Sequence, residues 1–261
     1  MNMETSKDET ILRVDQISLT FGNVNAITDI SLELGKHEFL AIIGPNGAGK
    51  TSLLNCVSRF YSPQKGDIYF NNNLINNLPR HKLAELGIAR TFQNINLYTH
   101  LSTLDNLMAG RDIFMRSGPL AGGLYFGKAL KEEIENRGKV EEIIDLLDMQ
   151  QIRRTKVEFL SYGLRKKVEL GRALVMEPKL LLLDEPMAGM SIEEKEDMVR
   201  YILDVRELKK PAIILVEHDM EVVMSIAERV IVLDFGQKIA EGTPEEVCSD
   251  SKTIKAYLGE T

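Results

Sequence analysis

Gly44-Pro45-Asn46-Gly47-Ala48-Gly49-Lys50-Thr51 follows the apolar run Phe39 to Ile43 and precedes Ser52, Leu53, Leu54 and Val57. A buried strand, a glycine-rich turn and an apolar-faced helix in direct succession make a P-loop in the setting its chemistry needs. Glycines let backbone N–H groups converge on phosphate oxygens, and a helix N-terminus adds positive potential at the same place. Lys50 brings a full charge toward β and γ phosphates, and Thr51 offers a hydroxyl suited to Mg²⁺. Gly44 to Ser52 is therefore read as a nucleotide-binding stretch.

Outward from that turn, three more apolar runs stop at turn or polar residues: Leu180 to Leu183, Ile213 to Val216 and Val230 to Leu233. With Leu40 to Ile43 they alternate with helical patterns, which predicts an α/β fold built on a mainly parallel sheet. Ile11 to Leu34 is β-rich, with Val14, Ile17 and Leu19 alternating, and Gly66 to Phe70 adds a strand before the turn-like Asn71-Asn72-Asn73. These predict a small antiparallel sheet beside the main one. From Thr103 to Thr155 the period is helical, in Leu104, Leu107 and Met108, then in Val140, Ile143, Ile144 and Leu147, around a glycine-rich stretch at Ser117 to Gly127. That pattern predicts a helical insert with a loop inside it. Thr243-Pro244 with Glu246, and Ser191 with Glu194, fit capping boxes at two helix starts.

Composition narrows the classes. The 261 residues are 44% apolar and 27% charged, enough to bury a sizeable core. No run reaches the length of a membrane span, and Met1 to Thr10 is polar rather than a basic-then-apolar leader, so a cytosolic chain is expected. Cys56 and Cys248 are the two cysteines, and both are expected as free thiols in a reducing compartment. A formal charge of −7, with scattered basic groups, argues against nucleic acid as a partner.

Leu180-Leu181-Leu182-Leu183-Asp184-Glu185 delivers two carboxylates at the C-terminal end of an apolar strand, the edge where open α/β sheets bind ligands. Taken alone such an end is a solvated edge; downstream of a P-loop it suits Mg²⁺ at Asp184 and polarisation of an attacking water at Glu185. Three further elements then complete a pattern: Gln93 in Arg90-Thr91-Phe92-Gln93-Asn94, Leu160-Ser161-Tyr162-Gly163-Leu164, and His218 after Ile213 to Glu217. Together with the P-loop and the two carboxylates they resemble the ABC (ATP-binding cassette) family over nearly the whole chain. The resemblance implies a P-loop NTPase (RecA-like) core with a small antiparallel subdomain and a helical insert at roughly 94–165, all in one nucleotide-binding domain, 1–261. It implies an ATP hydrolase using ATP and Mg²⁺.

By the same resemblance Gln93 senses Mg²⁺ and water, His218 contacts the γ-phosphate, and the signature segment Ser161, Tyr162, Gly163 and Leu164 binds the ATP held by a second cassette. From the residues alone, Ser161 is a helix N-cap, and both readings hold because a helix N-terminus is an anion site. Phe21, before Gly22, resembles the aromatic that stacks on adenine; a core phenylalanine is the competing account. His37, His81 and His100 match no motif and are expected at the surface or in turns.

Arg90 to Asn94, Glu185-Pro186-Met187-Ala188-Gly189, Glu217-His218-Asp219-Met220 and the ending Ile254 to Gly259 look most like the branched-chain amino acid importers. The resemblance implies a second cassette, identical or paralogous, two transmembrane permease subunits, an external solute-binding protein acting indirectly, and a peripheral place on the inner face of the cell membrane. Tyr162 stands where the common signature has Gly, Leu164 where it has Gln, and Ser191 where many members have Asp. Three rivals stay open: a non-transport ABC ATPase, a P-loop small-molecule kinase, and a non-hydrolysing interaction module.

Overall fold

The computed structural model describes residues 10–114 and 128–258. The N-terminal decapeptide apart from Thr10, the glycine-rich stretch at 117–127 and Gly259 lie outside the described residues. The chain divides into two compact units, Met1–Arg90 with Lys179–Glu185 and Arg206–Thr261, and Thr91–Pro178 with Pro186–Val205.

In the first unit, β3 (Phe39–Ile43), β7 (Leu180–Asp184) and β8 (Ala212–Val216) are buried along their whole length, the mark of strands covered on both faces. With β6 (Ile88–Arg90), β9 (Arg229–Asp234) and β10 (Gln237–Gly242) they form a six-stranded sheet in the order β10-β9-β3-β8-β7-β6. All pairings are parallel except β10 on β9. Strand order reverses at β3: the chain leaves it for the far edge, returns through β7 and β8, then passes beyond it to β9. A crevice at the C-terminal end of such a switch-point strand is where open α/β sheets take their ligands. The helix Lys50–Val57 starts there and buries Leu53, Leu54, Cys56 and Val57.

A second sheet in the same unit, β2-β1-β4-β5 with β5 at Asn73–Leu74, is antiparallel. In β1 (Thr10–Phe21) Val14, Ile17 and Leu19 turn inward, as the alternation predicts, against β2 (Val24–Gly35) and β4 (Lys65–Phe70). Their apolar faces share one core with Leu53, Leu54 and Val57 of the helix and with Leu180, Leu182 and Ile214 of the main sheet.

The second unit is helical: Thr103–Gly110, Lys128–Leu146, Tyr162–Leu174 and the part of Ile192–Lys209 up to Val205. The periodic positions Leu107, Val140, Ile143, Ile144 and Leu147 are buried together with Val168, Leu170 and Leu174. Close helix approach rests on Gly110, where a Cβ would stand 2.7 Å from Val175 Cγ2. Both predicted capping boxes form: Thr243 with Glu246, and Ser191 with Glu194, whose hydroxyl and carboxylate bond each other's backbone N–H groups. A third, outside the sequence expectation, joins Ser102 to Asp105.

Candidate functional site

Strand register assembles the site. Ile42 of β3 pairs with Val216 of β8, and Val216 pairs in turn with Asp184 of β7. The residues that follow these three positions, Gly44 onward, Glu217-His218 and Glu185, therefore emerge at one edge of the sheet. Neighbouring strands lie about 4.8 Å apart, so the phosphate loop and the two carboxylates are within side-chain reach.

The loop is shaped by its glycines. Gly44 has φ +146°, and a Cβ there would stand 2.0 Å from Leu233 O; at Gly49, φ +101°, it would stand 2.5 Å from Ala26 O. Gly44 N–H donates to the Tyr257 hydroxyl at 2.9 Å, and Ala48 O accepts from Gly236 N–H at 3.1 Å. Pro45 O accepts from Ala48 N–H at 3.1 Å inside the turn, which carries Asn46 and Gly47. Ser52 lies in the first turn of the helix that follows.

Lys50 is buried, and its ammonium donates to Gly44 O at 2.7 Å and Pro45 O at 3.0 Å. Burial lowers its pKa from the ordinary lysine range, against the opposing pull of Glu185 and Asp184. Thr51 Oγ1 donates to Asp184 Oδ1 at 3.4 Å. Asp184 is 1% exposed, and its Oδ2 forms an ion pair with Arg90 Nη2 at 2.8 Å. Arg90 reaches back to the P-loop helix, donating from Nη1 to Asn55 Oδ1 and Ser58 Oγ at 2.7 Å each. Asp184 is thus held on one oxygen while the other faces Thr51.

Glu185 has φ +47°, a left-handed backbone costly for a residue with a Cβ, and its N–H donates to Val216 O at 2.9 Å. His218 is exposed, its backbone N–H donating to Glu217 Oε2 at 3.1 Å, with its ring Nδ1 3.5 Å from the same buried carboxylate. Phe21 is 45% exposed and packs edge-on against Tyr61 at 5.0 Å, which removes the core account of it.

Gln93, Ser161, Tyr162, Gly163 and Leu164 belong to the second unit. Ser161 caps the Tyr162–Leu174 helix, its Oγ accepting from Leu164 N–H at 3.3 Å. Gly163 lies under the Glu194 carboxylate: a Cβ would stand 2.2 Å from Glu194 Oε1, so any side chain there displaces that group. Tyr162 lies on Gly189, whose Cβ would stand 3.2 Å from its ring. Gln93 is exposed on a loop whose backbone is held by Lys166 and Glu169.

Sequence reasoning missed two residues of the first-unit site, Arg90 and Tyr257, which entered only as points of family resemblance. An arginine closing a three-residue strand and a tyrosine in a terminal helix carry no local signal of what they reach. His37, His81 and His100 are exposed, and Cys56 and Cys248 are free thiols, as expected.

Fold and site define a P-loop nucleotide triphosphatase of the cassette type. The chain belongs to the ABC transporter family, as one of its ATP-hydrolysing transport cassettes: that family's profile, described as ABC transporter, matches residues 27–188. A second profile, described as Branched-chain amino acid ATP-binding cassette transporter, matches residues 237–261. The chain is 34% identical to the high-affinity branched-chain amino acid transport ATP-binding protein LivG of Salmonella typhimurium, over 97% of this chain and 99% of that protein. It is 33% identical to BraF of Pseudomonas aeruginosa, which carries the same description, over 96% and 98% of the two chains. Among solved structures, a nucleotide-free ATP-binding cassette from an ABC transporter superposes with a TM-score of 0.83 at 33% identity, covering 96% of this chain and all of the other. Another cassette, in its ADP conformation, gives 0.82 at 33% identity over 96% and 99%. No helix among the described residues is long and apolar enough to cross a membrane.

Proposed function

We propose that this chain is the ATP-binding and hydrolysing subunit of an importer for branched-chain or related amino acids, with Lys50, Thr51, Asp184, Glu185, His218 and Gln93 acting on its own nucleotide. The observation that carries the reading is the register of β3, β8 and β7, which delivers the phosphate loop and the Asp184-Glu185 pair to one sheet edge. Residues 1–261 are read as one nucleotide-binding domain, with the helical insert at roughly 94–165 inside it.

Gly44 to Ser52 wrap the phosphates with backbone N–H groups, and Lys50 turns its ammonium from the loop's carbonyls to phosphate oxygens. Phe21, exposed beside Tyr61, offers a ring face to adenine. Thr51 and Asp184 fit Mg²⁺: a hydroxyl and one carboxylate oxygen 3.4 Å apart are the hard donors such an ion takes alongside phosphates. An ion held there would neutralise charge on the phosphates, and by the family resemblance Gln93 would serve it as a further ligand. Glu185 accepts the proton of the attacking water as its oxygen bonds the γ-phosphorus and the bond to the β–γ bridging oxygen breaks, ADP leaving with that oxygen; His218 hydrogen-bonds the γ-phosphate oxygens.

The second half of each site comes from another cassette, of the same or a paralogous chain. Ser161 caps its helix while its hydroxyl and the Gly163 N–H offer donors at a positive helix end, an anion site for ATP held by the partner. Two permease subunits, served by an external solute-binding protein, are moved by closing and reopening of the pair, with the chain peripheral on the cytoplasmic face.

The central test is Glu185→Gln: ATP retention is expected to persist while phosphate release falls roughly 10²-fold or more. Release at the parental rate contradicts the assignment. Cells lacking this chain should lose uptake of labelled leucine, isoleucine or valine and regain it with the parental chain but not with Glu185→Gln; unchanged uptake sinks the substrate class.

A further inference from the structure

Backbone that belongs to neither helix nor strand must find partners elsewhere, and the stretch Thr91 to Leu101, which carries Gln93, is such a segment. Its two ends are held differently. At the far end the buried Asn106 side chain accepts from Tyr98 N–H at 2.9 Å and donates to Tyr98 O and Ser102 O at 3.0 Å each. At the near end the partners are charged. Glu169, 2% exposed, accepts from Phe92 N–H at 3.2 Å and also from the backbone N–H of Asn96. Lys166, 3% exposed, donates to Gln93 O at 2.9 Å and Phe92 O at 3.5 Å.

Lys166 and Glu169 are three apart on the Tyr162–Leu174 helix, so they share one face of it. Lys166 thus holds the carbonyls on either side of the Gln93 Cα, and Glu169 holds the N–H groups at both ends of the short arc from Phe92 to Asn96. The same helix is capped by Ser161, five residues before Lys166, a rise of about 7.5 Å. Two buried charges are an expensive way to fix a surface loop when neutral side chains such as Asn106 serve the other end. The expense is explained if the position of one backbone group matters to function.

We propose that Lys166 and Glu169 are positioning residues for Gln93, fixing its backbone to the signature helix so that Gln93 and Ser161 move as one piece. The Gln93 that serves one nucleotide is thereby tied to the Ser161 that serves the other. This rests on the roles given to Gln93 and Ser161 above.

The test uses the full-length chain with its second cassette. Glu169→Leu should speed amide hydrogen exchange at Phe92 and Asn96 by about tenfold or more, and Lys166→Met should loosen the same arc. ATP turnover should fall about tenfold in kcat with KM for ATP changed less than about twofold, because the phosphate loop is untouched. Lys166→Arg, which keeps the donor, should restore turnover; Glu169→Gln, which keeps an acceptor for Phe92 N–H, guards against a fold lost to Glu169→Leu. In a Gln93→Ala background either change should cost little more, under about twofold, since its effect runs through Gln93. Parental exchange and turnover in the Lys166 and Glu169 variants, or losses that multiply with Gln93→Ala, overturn the proposal alone. Parental turnover in Gln93→Ala itself overturns the role of Gln93, and the proposal with it.

Discussion

At Asp184 one buried oxygen meets Arg90 and the other meets Thr51, and this division decides what single substitutions do. Arg90→Met strands a buried carboxylate, so a loss of about 3–5 kcal/mol is expected in urea unfolding, with part regained by adding Asp184→Asn. A parental midpoint for Arg90→Met would show the pair to be idle. Cys56, shut inside the P-loop helix, has its thiol pushed up to about 12 by burial, with Arg59 opposing. A raised folded pKa means stability is complete below the unfolded value of 9.0 and drains away as pH climbs toward 12. Cys56→Ala should flatten that alkaline loss, measured as melting temperature against pH; an unchanged slope would refute it. The P-loop, Asp184 and Glu185 were legible as residues because their chemistry is packed into contiguous sequence. Arg90 was not, since its meaning lies 94 positions away in Asp184.

Helix starts and strand edges are the elements on which function rests. Ser161 caps a helix, and the proposed function gives its hydroxyl a second task; substitutions separate the two. Ser161→Ala should cost about 1 kcal/mol of stability and Ser161→Gly only a few tenths, while both remove the hydroxyl. ATP turnover with a second cassette should therefore fall alike in the two variants although their melting temperatures differ. Turnover that follows stability instead would reduce Ser161 to a cap. The apolar runs predicted β3, β7, β8 and β9 closely, since a strand buried on both faces has no competing pattern. β6 has three residues and β10 is half exposed, so neither produced a run to read. Capping boxes are readable where Ser or Thr precedes Glu by three; at Ser102 the shorter Asp105 does the same work without matching that pattern.

On the scale of the whole molecule, a net charge of −7 sets two like cassettes against each other before any nucleotide is counted. Pairing of two copies in the presence of ATP should tighten as salt rises from about 0.02 M to about 0.2 M, because the screening length falls below about 10 Å near 0.1 M. Sedimentation across that range checks it; pairing that weakens with salt would point to charge-complementary docking. The overall architecture was legible from the alternation of strand and helix patterns, whereas the bracing of one region by another was not, being invisible to any local window. That bracing sets an order on biosynthesis. The bonds that hold the phosphate loop from outside come from Asp184, Gly236 and Tyr257, all in the final third of the chain. As the polypeptide leaves the ribosome, the loop emerges well before these three residues and waits without their bonds until they follow. Nascent chains stalled before Gly236 should be unable to keep hold of ATP, so competence waits for residues made long after the loop itself.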